Sequence, residues 1–248
     1  MKKGFQDYGR EWLDTLVVAI SVAMAFRTYF YEPFNIPTGS MQETLWGYHT
    51  TAGTEKGKWD RFPLSVLKWA WSGERVVEYK ATNGGAVRMR PRNDGFVDLR
   101  VGLSEDTFKL PTDACHSLMG RVFAPGETVW KGTVTTGDFI FVNRWWWNFF
   151  QPKAGDVMIF STTGIGKLPQ GTHYIKRMKA TPGETYALEH PIEGGPLSVT
   201  MGEDEYFACG DNFNNSYDSR YWGPVPGANL RGIGSVVFWP FNGWRRIR

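Results

Sequence analysis

His173-Tyr174-Ile175-Lys176-Arg177-Met178-Lys179 reads as a β-strand, and that reading sorts its side chains. Tyr174, Lys176 and Met178 share one face, while Ile175, Arg177 and Lys179 share the other. Lys176 therefore has apolar neighbours on its own side. Arg177 and Lys179 point where carboxylates can neutralise them without holding the Lys176 amine in its charged state. A strand lysine is ordinarily exposed, so this one gains meaning only beside a partner. The candidate partner lies far upstream in Pro37-Thr38-Gly39-Ser40-Met41. These are common turn residues, with Pro37 restricting the backbone and Gly39 allowing another chain close approach. A serine hydroxyl is a poor nucleophile until a base takes its proton, and a lysine can serve only when neutral. Bringing a lysine from about 10.4 to about 7 corresponds to roughly 4–5 kcal/mol, which full burial can supply.

Upstream of Ser40, Trp12 to Tyr31 would span about 30 Å as a helix, enough to cross a bilayer's hydrocarbon. Uninterrupted apolar character runs from Thr15 to Phe26, which places Asp14 and Arg27 at the two interfaces. Lys2, Lys3 and Arg10 precede the stretch, so as an anchor it keeps the N-terminus cytoplasmic and sends the rest outside. A cleaved secretory signal fits the same residues, with Leu16 to Val22 as its apolar run and Ala23-Met24-Ala25 as a small-x-small site. Both readings export the chain.

A length of 248 residues with 42% apolar content can bury the core of one moderately large domain or of a domain carrying an insertion. The net charge of +3 comes from evenly mixed signs and sets nucleic acid aside as a partner. Two cysteines, Cys115 and Cys209, make no disulfide framework, and either a pair or two free thiols fits the sequence. His49, His116, His173 and His190 form no metal-ligand array, so no metal is expected. From Glu32 onward short runs of Val, Ile, Phe, Tyr and Trp alternate with Gly, Pro and Asn turns, the punctuation of a mainly β protein. Val87–Arg90 and Phe96–Arg100 should pair as a hairpin across Asn93-Asp94-Gly95, with Asn83-Gly84-Gly85 turning a second hairpin before it. Phe62 to Trp71 reads as one amphipathic helix that could dock on a sheet or a membrane, with the sheet favoured for so short a piece. Phe139 to Val142 reads as a buried strand. In the Trp145-Trp146-Trp147 run that follows, at least one ring should reach the surface, where membrane contact suits it. The C-terminal stretch Trp239 to Arg246 could add a second aromatic and basic membrane contact, but reads more simply as a packed tail with solvated arginines.

Taken with Gly210-Asp211-Asn212-Phe213-Asn214-Asn215-Ser216-Tyr217-Asp218-Ser219-Arg220, these segments resemble the type I signal peptidase (leader peptidase) family. Pro37-Thr38-Gly39-Ser40-Met41 matches its serine motif. Tyr174-Ile175-Lys176-Arg177 with Pro182-Gly183-Glu184 matches its lysine motif, and Gly137–Arg144 and Gly155–Phe160 match two core strands. The resemblance covers residues 12 to 45 and about 136 to 226. It implies Ser40 as nucleophile, Lys176 as general base, and Thr38 with the Ser40 N–H as the oxyanion hole. It further implies Ser216 as the hydroxyl that orients the lysine, with Asp211, Asp218 and Arg220 as supporting charges. It calls for no cofactor. The implied substrates are secretory pre-proteins with small residues one and three positions before the cut, and the implied location is the cell (inner) membrane, single-pass, with the catalytic part outside the cytoplasm. Gln42-Glu43, Ala180, Glu184 and Phe213 depart from the family pattern without removing a catalytic group.

The expected architecture is an antiparallel-sheet catalytic core from residues 33–45 and 131–248, an N-terminal membrane helix within residues 1–32, and a β-rich insertion over residues 46–130. That insertion reads equally as a guide for substrates or translocation machinery and as a surface elaboration. Three other functions compete: a Ser/His/Asp hydrolase using His173, disfavoured because no Gly-x-Ser-x-Gly elbow is present, a noncatalytic membrane-anchored binding module, and a self-cleaving repressor of the related Ser/Lys class, disfavoured by the export segment and the lack of a DNA-binding motif.

Overall fold

The computed structural model describes the backbone of residues 5–92 and 95–248. Helix α1, Phe5–Tyr29, leads directly into strand β1, Tyr31–Asn35, and then a short 3-10 turn, Gly39–Met41, that carries Ser40. The Arg10–Tyr29 part of α1 is long and apolar enough to cross a membrane, and none of it is buried against the rest of the chain.

The middle of the chain forms β2 His49–Ala52, α2 Leu64–Ser72, β3 Glu74–Lys80, β4 Gly85–Pro91, β5 Phe96–Val101, β6 Phe108–Pro111, α3 Thr112–Cys115, β7 Val122–Phe123 and β8 Thr128–Thr135. The remainder gives β9 Phe139–Asn143, β10 Val157–Ser161, β11 His173–Ala180, β12 Thr185–Ala187, β13 Ser198–Thr200, β14 Glu205–Cys209, α4 Ser219–Trp222, β15 Val225–Pro226, β16 Leu230–Trp239 and β17 Arg245–Arg246. The expected mainly β, antiparallel class is what the chain adopts. One sheet runs in the order β1-β9-β16-β10-β11-β14-β15, with β17 beside β16, and the middle strands form two smaller sheets, β2-β8-β3 and β6-β5-β4-β7.

In the large sheet β10 is buried on both faces. Val157 and Ile159 pack with Ile36, Met41, Ile140 and Val142, while Met158 and Phe160 pack with Met178, Tyr206 and Trp222. The unbroken apolar run Val157 to Phe160 is what a strand covered on both sides requires. The middle sheets enclose a separate cluster around Val97, Leu99, Leu110, Phe123 and Trp130.

Several local expectations change. The β4–β5 hairpin forms in the register Val87↔Val101 and Met89↔Leu99, and its turn residues Asn93 and Asp94 lie outside the described residues. No hairpin forms across Asn83-Gly84-Gly85. There β3 pairs with β8, whereas β4 pairs with β5 and β7, so the turn carries the chain from one sheet to the next. Strand β9 is buried on one face only, because Ile140 and Val142 enter the core while Phe139 and Phe141 stay half-exposed. Past it the Trp run is a 3-10 turn, Trp146–Asn148, and not a strand. The Asn143 side-chain oxygen accepts the N–H groups of Trp145 and Trp146, both at 3.0 Å, and so bends the chain out of the sheet. Trp147 packs inward, while Trp145 and Trp146 are exposed.

Candidate active site

The pairing of β11 with β14 ends at Arg177↔Cys209, and Lys176 lies one residue past that end. The serine turn fills the slot so created. Asn212 fastens it, its N–H donating to the Ser40 carbonyl at 3.1 Å and its side-chain amide to the Gly39 carbonyl at 3.1 Å. Gly210 makes room. A Cβ there would stand 2.2 Å from the Ser216 Oγ and 2.3 Å from the Ser40 carbonyl oxygen, well inside contact distance.

In this slot the Lys176 Nζ donates to the Ser40 Oγ at 2.7 Å, between residues 136 positions apart. Lys176 is 4% exposed and Ser40 is also buried. Burial among Met158, Tyr174 and Met178 brings the amine down to about 8, the Asp218 carboxylate holding it from falling further. The amine is thus close to its neutral, proton-accepting state near physiological pH. The Thr38 hydroxyl, exposed at the mouth of the slot, points to the Ser40 Oγ at 3.4 Å.

Asp218 is fully buried, and its carboxylate is surrounded by donors. Arg220 contributes Nε at 2.8 Å and a terminal nitrogen at 3.0 Å, and the Gly210 N–H adds a third at 3.1 Å. Arg220 also donates to the Phe213 carbonyl at 2.8 Å and lies over the Phe213 ring. The residue that departs from the family pattern therefore still meets Arg220, through its main chain and its ring face. Asp211 pairs instead with Arg177, at 2.7 and 2.8 Å, and Arg177 reaches on to the Thr44 hydroxyl at 3.1 Å and the Gly155 carbonyl at 2.7 Å. Arg177 thus tethers the strand that carries Lys176 to the segment after Ser40, and Asp211 holds its guanidinium in place. Ser216 is buried beside Gly210, but its Oγ makes no hydrogen bond, so it does not hold the lysine in this state of the molecule.

His173 is exposed, with its ring against Phe34 and away from the serine. Among the described residues no group of His, Cys, Asp or Glu is placed to hold a metal ion. Cys115 and Cys209 are not joined in a disulfide and both are buried, and burial pushes the Cys209 thiol up to about 12, which leaves it unreactive. A cleft of about 750 Å³ adjoins the serine turn, lined by Gln42, Glu43, Trp46, His190, Asn212 and Phe213.

The fastening role of Asn212 and the bridge made by Arg177 were absent from the expected site residues. Arg177 was signalled by its place in the Tyr-Ile-Lys-Arg motif, whereas the Gly-Asp-Asn motif that contains Asn212 does not say what it holds. Arg245 is a third omission. Its side chain is partly exposed but also donates to the Asp138 carboxylate at 2.6 Å and to the Thr44 carbonyl at 2.8 Å, while Asp138 also accepts the Trp46 N–H at 2.9 Å; Arg246 is solvated as expected. The C-terminal tail thereby braces the far side of the serine segment.

The family model for "Signal peptidase, peptidase S26" matches residues 118–192 and 185–239, stretches that contain Lys176, Ser216, Asp218 and Arg220. The signal peptidase I of Leptolyngbya laminosa is 31% identical over 140 residues, covering 48% of this chain and 68% of the relative. The signal peptidase I of Pseudomonas aeruginosa is 25% identical over 257 residues, covering 94% of this chain and 73% of the relative, an alignment that runs through residues 46–130. The signal peptidase I T of Bacillus subtilis is 27% identical over 161 residues, covering 54% of this chain and 80% of the relative. The chain belongs to the signal peptidase I family, peptidase S26.

Proposed function

We propose that this enzyme cuts signal peptides from exported pre-proteins with Ser40 as nucleophile and Lys176 as general base, while α1 holds it at the membrane. The observation that carries the reading is the 2.7 Å contact between a buried, lowered-pKa amine and the serine hydroxyl. Neutral Lys176 takes the Ser40 proton as the Oγ attacks the scissile carbonyl, giving a tetrahedral oxyanion. The Ser40 N–H and the Thr38 hydroxyl stabilise that charge, a term for which one donor contributes about 3–4 kcal/mol. The lysine ammonium then passes its proton to the departing amine of the mature protein as the C–N bond breaks. The signal peptide remains as an ester on Ser40. Neutral Lys176 next takes a proton from water, whose oxygen attacks the ester, and the ammonium returns that proton to Ser40 as the signal peptide leaves.

Small residues one and three positions before the cut are the expected preference. Membrane tethering suits such a substrate, because a pre-protein held by its own signal helix is presented at the same surface and the local encounter concentration rises. The N-terminus would be cytoplasmic and the sheets extracytoplasmic. Trp145, Trp146, Phe149 and Phe150 are exposed beside the end of α1, where Phe30 meets Trp145 edge-on, and they suit the headgroup layer. The deciding experiment incubates detergent-solubilised full chain with a pre-protein bearing an Ala-x-Ala site. Wild type should cut once at that site and Lys176→Met should lose about 10²–10⁴ in kcat/KM. Equal rates for the two would reject Lys176 as base.

A further inference from the structure

Helix α2 carries an apolar stripe that faces away from the protein. At about 100° per residue, Leu64, Leu67 and Trp71 fall within about 60° of one another, and Trp69 falls about opposite the centre of the stripe. Trp69 is the inward residue. Its ring meets Trp239 at 5.1 Å, and the Trp239 Nε1 donates to the Ala70 carbonyl at 2.9 Å, which fixes the helix's rotation. Leu67 is therefore 61% and Trp71 63% exposed, and the preceding Trp59 and Phe62 stand out as well, Phe62 at 86%. The helix ends cleanly at Gly73 in the left-handed region, whose N–H donates to the Trp69 carbonyl. Amphipathic helices of globular proteins turn the apolar side inward, so this arrangement asks for an occupant.

Two further observations identify it. The first is continuity with α1. A row of ring contacts runs from Phe26 in α1 through Tyr31, Phe141, Phe238, Phe139 and Trp239 to Trp69, across β1, β9 and β16. The second is charge. Lys56, Lys58 and Arg61 are exposed just before α2, and the turn that packs against it carries exposed Phe241 and Trp244, followed by exposed Arg246 and Arg248. Apolar and aromatic side chains fringed by cations match an anionic lipid surface.

We propose that α2 lies in the membrane interface, with Leu64, Leu67 and Trp71 seated among lipid headgroups and upper acyl chains as a second attachment beside α1. This rests on reading α1 as the anchor. Two contacts with one bilayer fix the orientation of the sheets over it, which a single flexible tether does not.

The test places an environment-sensitive nitrobenzoxadiazole dye on full-length Leu67→Cys, and separately on Leu103→Cys and Val18→Cys, in vesicles of phosphatidylethanolamine and phosphatidylglycerol. Cys115 and Cys209 are buried, so labelling goes to the introduced site. Retained pre-protein cleavage in detergent checks that each labelled chain is folded. Doxyl groups near the headgroup should remove most of the fluorescence at position 67 and leave position 103, an exposed leucine of the middle strands' region, unchanged. Position 67 behaving like position 103 would overturn the proposal. Val18 decides the anchor independently, since deep doxyl groups quench it only if α1 crosses the bilayer. Quenching at 18 without quenching at 67 rejects α2 alone. Quenching at 67 without quenching at 18 upholds α2 at the interface and rejects the anchor.

Discussion

At the scale of single residues, the lysine's environment sets a pH dependence. Because the neutral amine is the proposed base and burial brings it to about 8, kcat/KM should fall about tenfold per pH unit below that value and level off above it. A stopped assay across pH 6 to 10 with one pre-protein reads this directly, and a flat profile would count against the assignment. Gly210 gives a second residue-level prediction. Gly210→Ala pushes a methyl group into the Ser40 carbonyl and the Ser216 hydroxyl, so it should cost about 1–3 kcal/mol of stability and most of the cleavage activity, seen as a lower thermal midpoint together with a lower kcat. Ser40 and Lys176 were legible in the sequence because each sits in a short motif with few alternatives. Asn212 was not. Its task depends on where two main-chain carbonyls from residues 39 and 40 arrive in space, which no pattern in its own segment encodes.

At the scale of elements, the loop from Gly210 to Arg220 is organised around one buried carboxylate. Asp218 caps the short helix α4 and holds Arg220, so Arg220→Ala would leave an uncompensated buried charge at a cost of about 3–5 kcal/mol. Chemical denaturation of the variant in detergent should show a loss of that size, larger than for Arg144→Ala, whose partner Glu32 is partly exposed. The Phe213 departure is tolerated because Arg220 uses the carbonyl of residue 213, a group every amino acid has. The tryptophan run shows where local reading stopped short. Its composition suits a strand, but a single asparagine oxygen capturing two N–H groups converts it to a turn. The helix was found within two residues, but which of its apolar positions face the sheet was left open, since spacing alone cannot say which of them meets Trp239.

At the scale of the molecule, the mainly β class was readable from the turn punctuation, whereas the pairing of β3 with the distant β8 was not, because long-range register leaves no mark within either segment. A buried amine also ties stability to pH. Its value is about 8 in the folded protein against 10.5 for an unhindered lysine, so the unfolded chain binds more protons between those values and stability rises with pH across that window. Below pH 8 the penalty is fully present, about 3 kcal/mol. Melts of the full chain in detergent should therefore show a midpoint that climbs from pH 8 to 10.5, and Lys176→Met should flatten that climb while melting higher at pH 7.

The distance along the chain between hydroxyl and amine has a consequence for biosynthesis. Ser40 leaves the ribosome 136 residues before Lys176 does. On the proposed mechanism, until the later half is translated and its strands have paired each new molecule carries only an ordinary alcohol, so a nascent chain would be harmless both to its neighbours and to the Ala23-Met24-Ala25 sequence within its own first helix.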